Sequence, residues 1–77
     1  MKSWNAFFEG NKIRVENHTF SEKLYINGKL HDEGSGIASR AKLIGKLPDG
    51  KLVKVSIGGC LAVHCTIFVE DQMILKA

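Results

Sequence analysis

The dipeptide Asn27-Gly28 lies between two short apolar blocks, in the stretch KLYINGKLHDE. A two-residue type I′ turn needs a positive φ at both central positions, and Asn-Gly is the pair that adopts this conformation most readily. The dipeptide therefore predicts a β-hairpin. Apolar and turn-forming residues alternate in similarly short blocks along the rest of the chain, which is the pattern of an all-β domain built from consecutive hairpins.

A first hairpin is expected from the stretch WNAFFEGNKIRV, with Gly10-Asn11 as a type II′ turn. In this register Phe8 lies opposite Ile13. Ala6 then lies opposite Val15. The apolar side chains of both strands share one face, and we interpret that face as part of the core.

A third hairpin is expected around Pro48-Asp49-Gly50, as a three-residue loop with glycine in the left-handed position. Residue 47 then faces residue 51, and the odd-numbered side chains of both strands fall on one apolar face. The predicted pairs are Gly45 with Val53, Leu43 with Val55, and Ala41 with Ile57.

The next turn is predicted to be the three-residue loop Gly58-Gly59-Cys60. A two-residue turn at 58–59 would point the following apolar residues away from the core, because a one-residue slip moves every side chain to the opposite face. The three-residue loop pairs Ile57 with Leu61, Val55 with Val63, and Val53 with Cys65. Cys60 is then in the turn and Cys65 is in the core.

The stretch CLAVHC contains both cysteines of the chain and one histidine. On an extended strand Cys60 and Cys65 are about 17 Å apart, whereas a disulfide needs Cα atoms within about 7 Å. Cys60 and His64 are about 13 Å apart along the same strand. We therefore predict no metal site, no disulfide and no cofactor here, unless a wide loop through 58–63 replaces the strand.

Residues 35–46, SGIASRAKLIGK, are compatible with a second structure. Ile37, Ala41 and Ile44 have helical spacing, and Ser35 is a suitable N-cap. The predicted fold is a small antiparallel β-sandwich or partly closed barrel of six to seven strands. Its second sheet is the meander 37–47, 51–57 and 61–69. The alternative is an α+β fold with a helix at 35–46.

Length and composition indicate one domain over residues 1–77. No apolar run approaches the roughly 20 residues of a membrane span, and the N-terminus lacks the pattern of a signal peptide. We therefore expect a cytoplasmic protein with no membrane partner. The net charge of +3 permits an anionic partner without requiring one.

The even-numbered face of the meander is predicted to be basic. A basic sheet face binds nucleic acid through phosphate contacts, so we consider nucleic-acid binding as an alternative function. A solvated lysine-rich surface explains the same pattern. The candidate nucleic-acid-binding residues are Arg40, Lys42, Lys46, Lys54 and His64.

Sequence motifs of catalysis are absent, and the three histidines lie on three different predicted elements. No catalytic residue is therefore predicted. A thiol-dependent enzyme using Cys60 is a third hypothesis. The sequence does not favour it, because a reactive thiol needs a nearby cation or helix start and the sequence places neither there.

The blocks IRVENHTFSEKLYINGK, AKLIGKLPDGKLVKVSI and CTIFVEDQMI, within residues 12–75, resemble the repeat unit of the Fas apoptotic inhibitory molecule family. The resemblance implies a non-catalytic β-sandwich that acts through protein contacts. The chain has about one such unit instead of a tandem pair, and residues 69–72 lack the glycine of the last turn. The leading expectation is a binding or protein-interaction module, with a homodimer through a sheet edge or the Trp4, Phe7 and Phe8 end.

Overall fold

The computed structural model describes residues 1–35, 40–59 and 62–77. Eight β-strands follow one another in this part of the chain. Their bounds are β1 Lys2–Phe8, β2 Asn11–Asn17, β3 Ser21–Ile26, β4 Lys29–Ser35, β5 Arg40–Lys46, β6 Leu52–Gly58, β7 His64–Val69 and β8 Gln72–Lys76.

The strands form two four-stranded antiparallel sheets, in the order β1-β2-β3-β4 (sheet A) and β5-β6-β7-β8 (sheet B). Within each sheet every strand pairs with its neighbours in sequence, and the sheets do not close into a barrel. The predicted all-β fold of consecutive hairpins is confirmed. The predicted count of six to seven strands is wrong, because residues 72–76 fold back after a tight turn and add an eighth strand.

The helix considered at 35–46 is wrong for residues 40–46, which form β5. Residues 36–39 lie outside the described residues. Strand is favoured because Leu43 is buried and Ile44 is exposed, an alternation of period two that a helix would not produce. The described part of the chain has no helix that is long and apolar enough to cross a membrane.

A single hydrophobic core lies between the two sheets and takes alternate residues from both. Burying a Val, Leu or Ile side chain contributes about 1.5–3 kcal/mol, so this layer holds the sheets together. Its members are Trp4, Ala6, Ile13, Val15, Leu24 and Ile26 from sheet A, and Leu43, Leu47, Val53, Val55, Ile57, Cys65, Ile67 and Val69 from sheet B and its first turn.

The first hairpin has a different register from the predicted one. Its turn is Glu9-Gly10, with φ of 48° and 78°, so both central residues have the positive φ of a type I′ turn. The side-chain amide of Asn11 donates to the carbonyl of Phe8 at 3.2 Å and supports this turn. Ala6 therefore pairs with Ile13. The shift is an even number of residues, so the predicted core face is retained.

The next two predicted turns are confirmed. Asn27 and Gly28 have φ of 52° and 81°. Gly50 has a φ of 95° at the end of its three-residue loop, and Leu47 donates to the carbonyl of Lys51 at 2.9 Å. The predicted pairs of β5 and β6 are all present.

The fourth hairpin is wider than predicted. Ile57 pairs with Cys65 instead of Leu61, a shift of four residues. The cause lies at the other end of β7, where the backbone of Glu70 donates to the carbonyl of Leu52 at 3.0 Å and its carboxylate accepts from the N–H of Leu52 at 2.8 Å. These two bonds fix Val69 opposite Val53. Because the shift is even, Cys65 still points into the core.

Candidate functional site: the outer face of sheet B

The outer face of sheet B carries an exposed row of side chains that crosses all four strands. Cross-strand pairing places Ile44 beside Lys54, Lys54 beside Phe68, and Phe68 beside Met73. Ile44 and Met73 are 53% and 50% exposed, and Phe68 is half-buried. We call these four residues the apolar row. Directly paired side chains on one face of a sheet touch their neighbours, so the row is a continuous surface with one lysine in it.

A second row runs parallel to the first and is two residues away from it on β5, β6 and β7. Lys42 pairs with Ser56, Ser56 with Thr66, and Thr66 with Lys76. We call these four residues the hydroxyl row. It has a lysine at each end and two hydroxyl groups between them.

The predicted site residues lie on this face where their side chains are described. Four of them are exposed, each at a different cross-strand position: Lys42, Lys46, Lys54 and His64. The backbone of Arg40 pairs with Gly58, and the side chain of Arg40 lies outside the described residues. The binding role of all five residues stays a prediction.

Two depressions on this face adjoin the two rows. The larger one, of about 330 Å³, is lined by Lys42, Leu43, Ile44, Lys54, Val55, Ser56 and Phe68. A polar recess of about 220 Å³ is lined by Ser56, Ile57, Gly58, Gly59, His64 and Thr66. The first follows the apolar row, and the second lies beside the two hydroxyls in the middle of the hydroxyl row.

The charge of the face is positive apart from one corner. Asp71 lies 3.6 Å from the ammonium group of Lys54, and Glu70 is bound to the backbone of Leu52 in the same turn. Within the part of the chain that the structure describes, Lys42 and Lys76 make no ion pair. These two ammonium groups are therefore free to meet an anionic ligand.

The sequence missed three members of the site. Thr66 and Lys76 were not predicted to share a row with Lys42, and Met73 was not predicted to lie beside Phe68. The predicted register places His64 opposite Lys54, whereas His64 pairs with Gly58. No local signal corrects this, because the turn at Glu70-Asp71, with φ of 48° and 66°, has no glycine.

The cysteines of CLAVHC have different positions in the fold. Cys65 is fully buried, and burial raises the pKa of its thiol to about 11. Its predicted core position is confirmed. Cys60 lies outside the described residues, so its turn position and the thiol-enzyme hypothesis stay predictions. Among residues 1–35, 40–59 and 62–77, no three His, Cys, Asp or Glu side chains are grouped so as to hold a metal ion.

The end considered for homodimerisation is only partly available at the surface. Trp4 is buried in the core and Phe8 is half-buried, while Phe7 is 72% exposed on the outer face of sheet A. Any contact made there would rest mainly on Phe7.

Comparison of the chain with known protein families, curated proteins and solved structures found no match. The resemblance to the Fas apoptotic inhibitory molecule repeat therefore stays a prediction. The function proposed for this chain rests on the geometry of the outer face of sheet B.

Proposed function

We propose that this chain is a small non-catalytic binding module, and that the outer face of sheet B binds an acidic segment of a protein partner that also carries apolar side chains. The observation that supports the proposal is the apolar row with lysines on both sides of it. An exposed apolar patch rimmed by polar groups marks an interaction surface more often than an isolated exposed side chain does.

The chemistry of the partner follows from the residues of the face. Removing the apolar area of Ile44, Phe68 and Met73 from water is favourable, and apolar side chains of a partner can cover it. Lys42 and Lys76 favour carboxylates or other anions at the edge of the same surface. Complementary charge steers a partner to the surface and fixes its orientation there.

A second candidate is binding of single-stranded nucleic acid. Phe68 lies beside Lys54 on a basic sheet face, and an aromatic ring next to a cation is the element on which bases stack. Ile44 and Met73 have no ring for stacking and occupy both ends of the row. They favour a protein partner over a nucleic acid.

The proposal is tested by amide NMR titration of the labelled chain with two probes. One probe is a synthetic peptide of alternating acidic and leucine residues, and the other is a mixture of short single-stranded oligonucleotides. We expect the peptide to shift amides in 42–46, 52–56, 64–68 and 73–76. The affinity should fall with salt because exposed charges are screened.

The double variant Lys42→Glu with Lys54→Glu should abolish binding of the peptide. Its matched control is Lys12→Glu with Lys29→Glu, which makes the same change of charge on sheet A. Peptide shifts confined to other residues, or an unaltered affinity in the first variant, would overturn the proposal. Oligonucleotide shifts on these residues without peptide shifts would replace the protein partner with nucleic acid.

A further inference from the structure

The polar recess beside the two hydroxyls of the hydroxyl row has the donors of an oxyanion site. Ser56 and Thr66 are directly paired across β6 and β7. Paired residues of this kind have Cβ atoms about 5 Å apart, so one small group can meet both hydroxyls. Within the described part of the chain, neither hydroxyl makes a hydrogen bond.

Cations flank the two hydroxyls on both sides. Lys42 is the neighbour of Ser56 on β5, and Lys76 is the neighbour of Thr66 on β8. His64 borders the recess, with its Nδ1 atom 3.3 Å from the carbonyl of Ala77. No carboxylate side chain is among the described residues that line the recess.

Gly58 and Gly59 line the recess and add no side chain to it, and at Gly59 the backbone carbonyl of Ala62 occupies the place that a Cβ atom would take. The volume of about 220 Å³ is small. It suits one compact polar group better than a chain of several residues.

We infer that this recess binds the phosphate group of a phosphorylated serine or threonine in the partner segment, an inference that rests on the proposed function. A phosphate monoester carries close to two negative charges and three acceptor oxygens. The two hydroxyls and two ammonium groups match that number of acceptors better than they match the two oxygens of a carboxylate. Hydrogen bonds to a charged group are stronger than those to a neutral one.

The spacing of the rows sets the pattern of the partner. The hydroxyl row and the apolar row are two residues apart on β5, β6 and β7, which is about 6.6 Å. An extended peptide that follows the strands advances by the same distance in two residues. A phosphorylated residue in the recess then places the residue two positions away on Phe68, which is two residues from Thr66 on β7, and that residue should be apolar.

The experiment compares three fluorescent acidic peptides on the full chain. The first carries phosphoserine with leucine two positions later, the second carries serine at the same place, and the third has the leucine moved next to the phosphoserine. We expect the first peptide to bind about tenfold tighter than the second. We also expect it to bind tighter than the third and to shift the amides of Ser56 and Thr66 most.

The variant Ser56→Ala with Thr66→Val removes both hydroxyls and keeps the size of the side chains. It should remove most of the gain from phosphorylation, measured as the ratio of the affinities for the phosphoserine peptide and the serine peptide. The control Ser3→Ala removes a hydroxyl from sheet A and should retain the full gain.

The outcomes separate this inference from the proposed function. Equal affinity for the phosphorylated and unphosphorylated peptides overturns the phosphate site and leaves the binding face intact. Absence of binding by all three peptides overturns both. A 5′-phosphorylated single-stranded oligonucleotide is the last probe. If it binds tighter than the phosphopeptide and shifts the amide signals of Ser56 and Thr66, the recess binds nucleic acid and the proposal of a protein partner is overturned as well.

Discussion

The carboxylate of Asp32 accepts a hydrogen bond of 2.8 Å from the backbone N–H of Ile44, and this bond joins the edge of sheet A to the edge of sheet B. Asp32 belongs to β4 and Ile44 to β5, the two strands at which the sheets adjoin. An unpaired N–H on an edge strand is a template for pairing with another chain. Asp32 satisfies this donor, and it fixes the strand that presents Ile44 to the apolar row.

We expect Asp32→Ala to lower the free energy of unfolding by about 1–2 kcal/mol, because the bond has a charged acceptor. The measurements are urea unfolding and amide exchange, and exchange should speed up most at Ile44. Glu33→Ala is the matched control, since Glu33 is the next residue on β4 and its ion pair with Lys23 is 3.9 Å long. An equal loss in both variants would contradict a specific role for Asp32.

Gly45 of β5 packs closely against sheet A. A Cβ atom on Gly45 would lie 2.9 Å from Cδ1 of Ile26 and 3.1 Å from Cδ2 of Leu24. We therefore expect Gly45→Ala to destabilise the protein by about 1–3 kcal/mol through overpacking. The measurement is the denaturation midpoint in urea.

The control is a second substitution that removes the clash. Ile26→Val deletes the Cδ1 atom that lies nearest to the added methyl group. The double variant of Gly45→Ala with Ile26→Val should be more stable than the sum of the two single effects predicts. Strict additivity would show that Gly45 is required for another reason.

The faces of the strands could be predicted from sequence more readily than their registers. Every register error was an even number of residues, so Cys65 was correctly placed in the core although its predicted partner was wrong. Burial depends only on which face a residue occupies, and the period-two pattern specifies that face. The exact partner depends on the turns at both ends of a strand.

The turns divide into those that carry a sequence signal and those that do not. Asn27-Gly28 consists of residues that adopt positive φ readily. Glu9 and Glu70 also have a positive φ, of 48° each, although glutamate rarely adopts it. Tertiary contacts stabilise both, since Glu9 pairs with Lys51 at 3.1 Å and Glu70 bonds to Leu52. Such contacts join residues far apart in the sequence, so a local pattern does not reveal them.

The candidate site follows the same division. Lys42, Lys54 and His64 were placed on one face because alternation alone decides this. The hydroxyl row was missed because it depends on the register of β7 and on the presence of β8. Thr66 and Lys76 become neighbours only when both are known.

Cys65 should be unreactive in the folded protein. Its thiol is fully buried, and burial raises its pKa to about 11, so almost no thiolate is present at neutral pH. We expect no labelling by a thiol reagent at pH 7.5 in a Cys60→Ser variant, and complete labelling once urea is added. The Cys60→Ser variant is needed because it leaves Cys65 as the one thiol of the chain. Rapid labelling without urea would show that the core opens at β7.

Glu16 should make stability depend on pH in the acid range. Hydrogen bonds from His18 at 2.8 Å and Arg14 at 2.9 Å lower the pKa of its carboxyl below the usual 4.5. A lowered folded-state pKa gives stability that is present above the unfolded-state value and is lost as the pH falls through the folded-state value. The difference in unfolding free energy between the natural chain and Glu16→Gln should therefore be largest near pH 6 and shrink below pH 4.5.

The measurement for Glu16 is urea unfolding at several pH values between 6 and 3. Glu33→Gln is the control, since it removes a carboxylate from the same sheet with only the longer ion pair to Lys23. Its effect should stay small across the range, as exposed ion pairs contribute about 0–1 kcal/mol. A difference for Glu16→Gln that does not change with pH would show that its bonds, and not its charge, stabilise the fold.

Asp71 connects the stability of the last hairpin with the charge of the binding face. Its φ of 66° is one that glycine adopts without strain, so Asp71→Gly should raise the free energy of unfolding by about 0.5 kcal/mol. Asp71 also lies 3.6 Å from Lys54 and offsets its charge. Both Asp71→Gly and Asp71→Asn should therefore bind the acidic peptide about twofold tighter at low salt.

The two variants separate these effects because asparagine removes the charge and tolerates positive φ about as well as aspartate does. Unfolding in urea measures the turn, and fluorescence anisotropy with the acidic peptide measures the face. If Asp71→Gly stabilises the protein, the turn has the strain that its φ indicates. If neither variant binds the peptide more tightly, Lys54 does not contact the partner. The binding surface would then have to exclude the centre of the apolar row, which contradicts the proposed site.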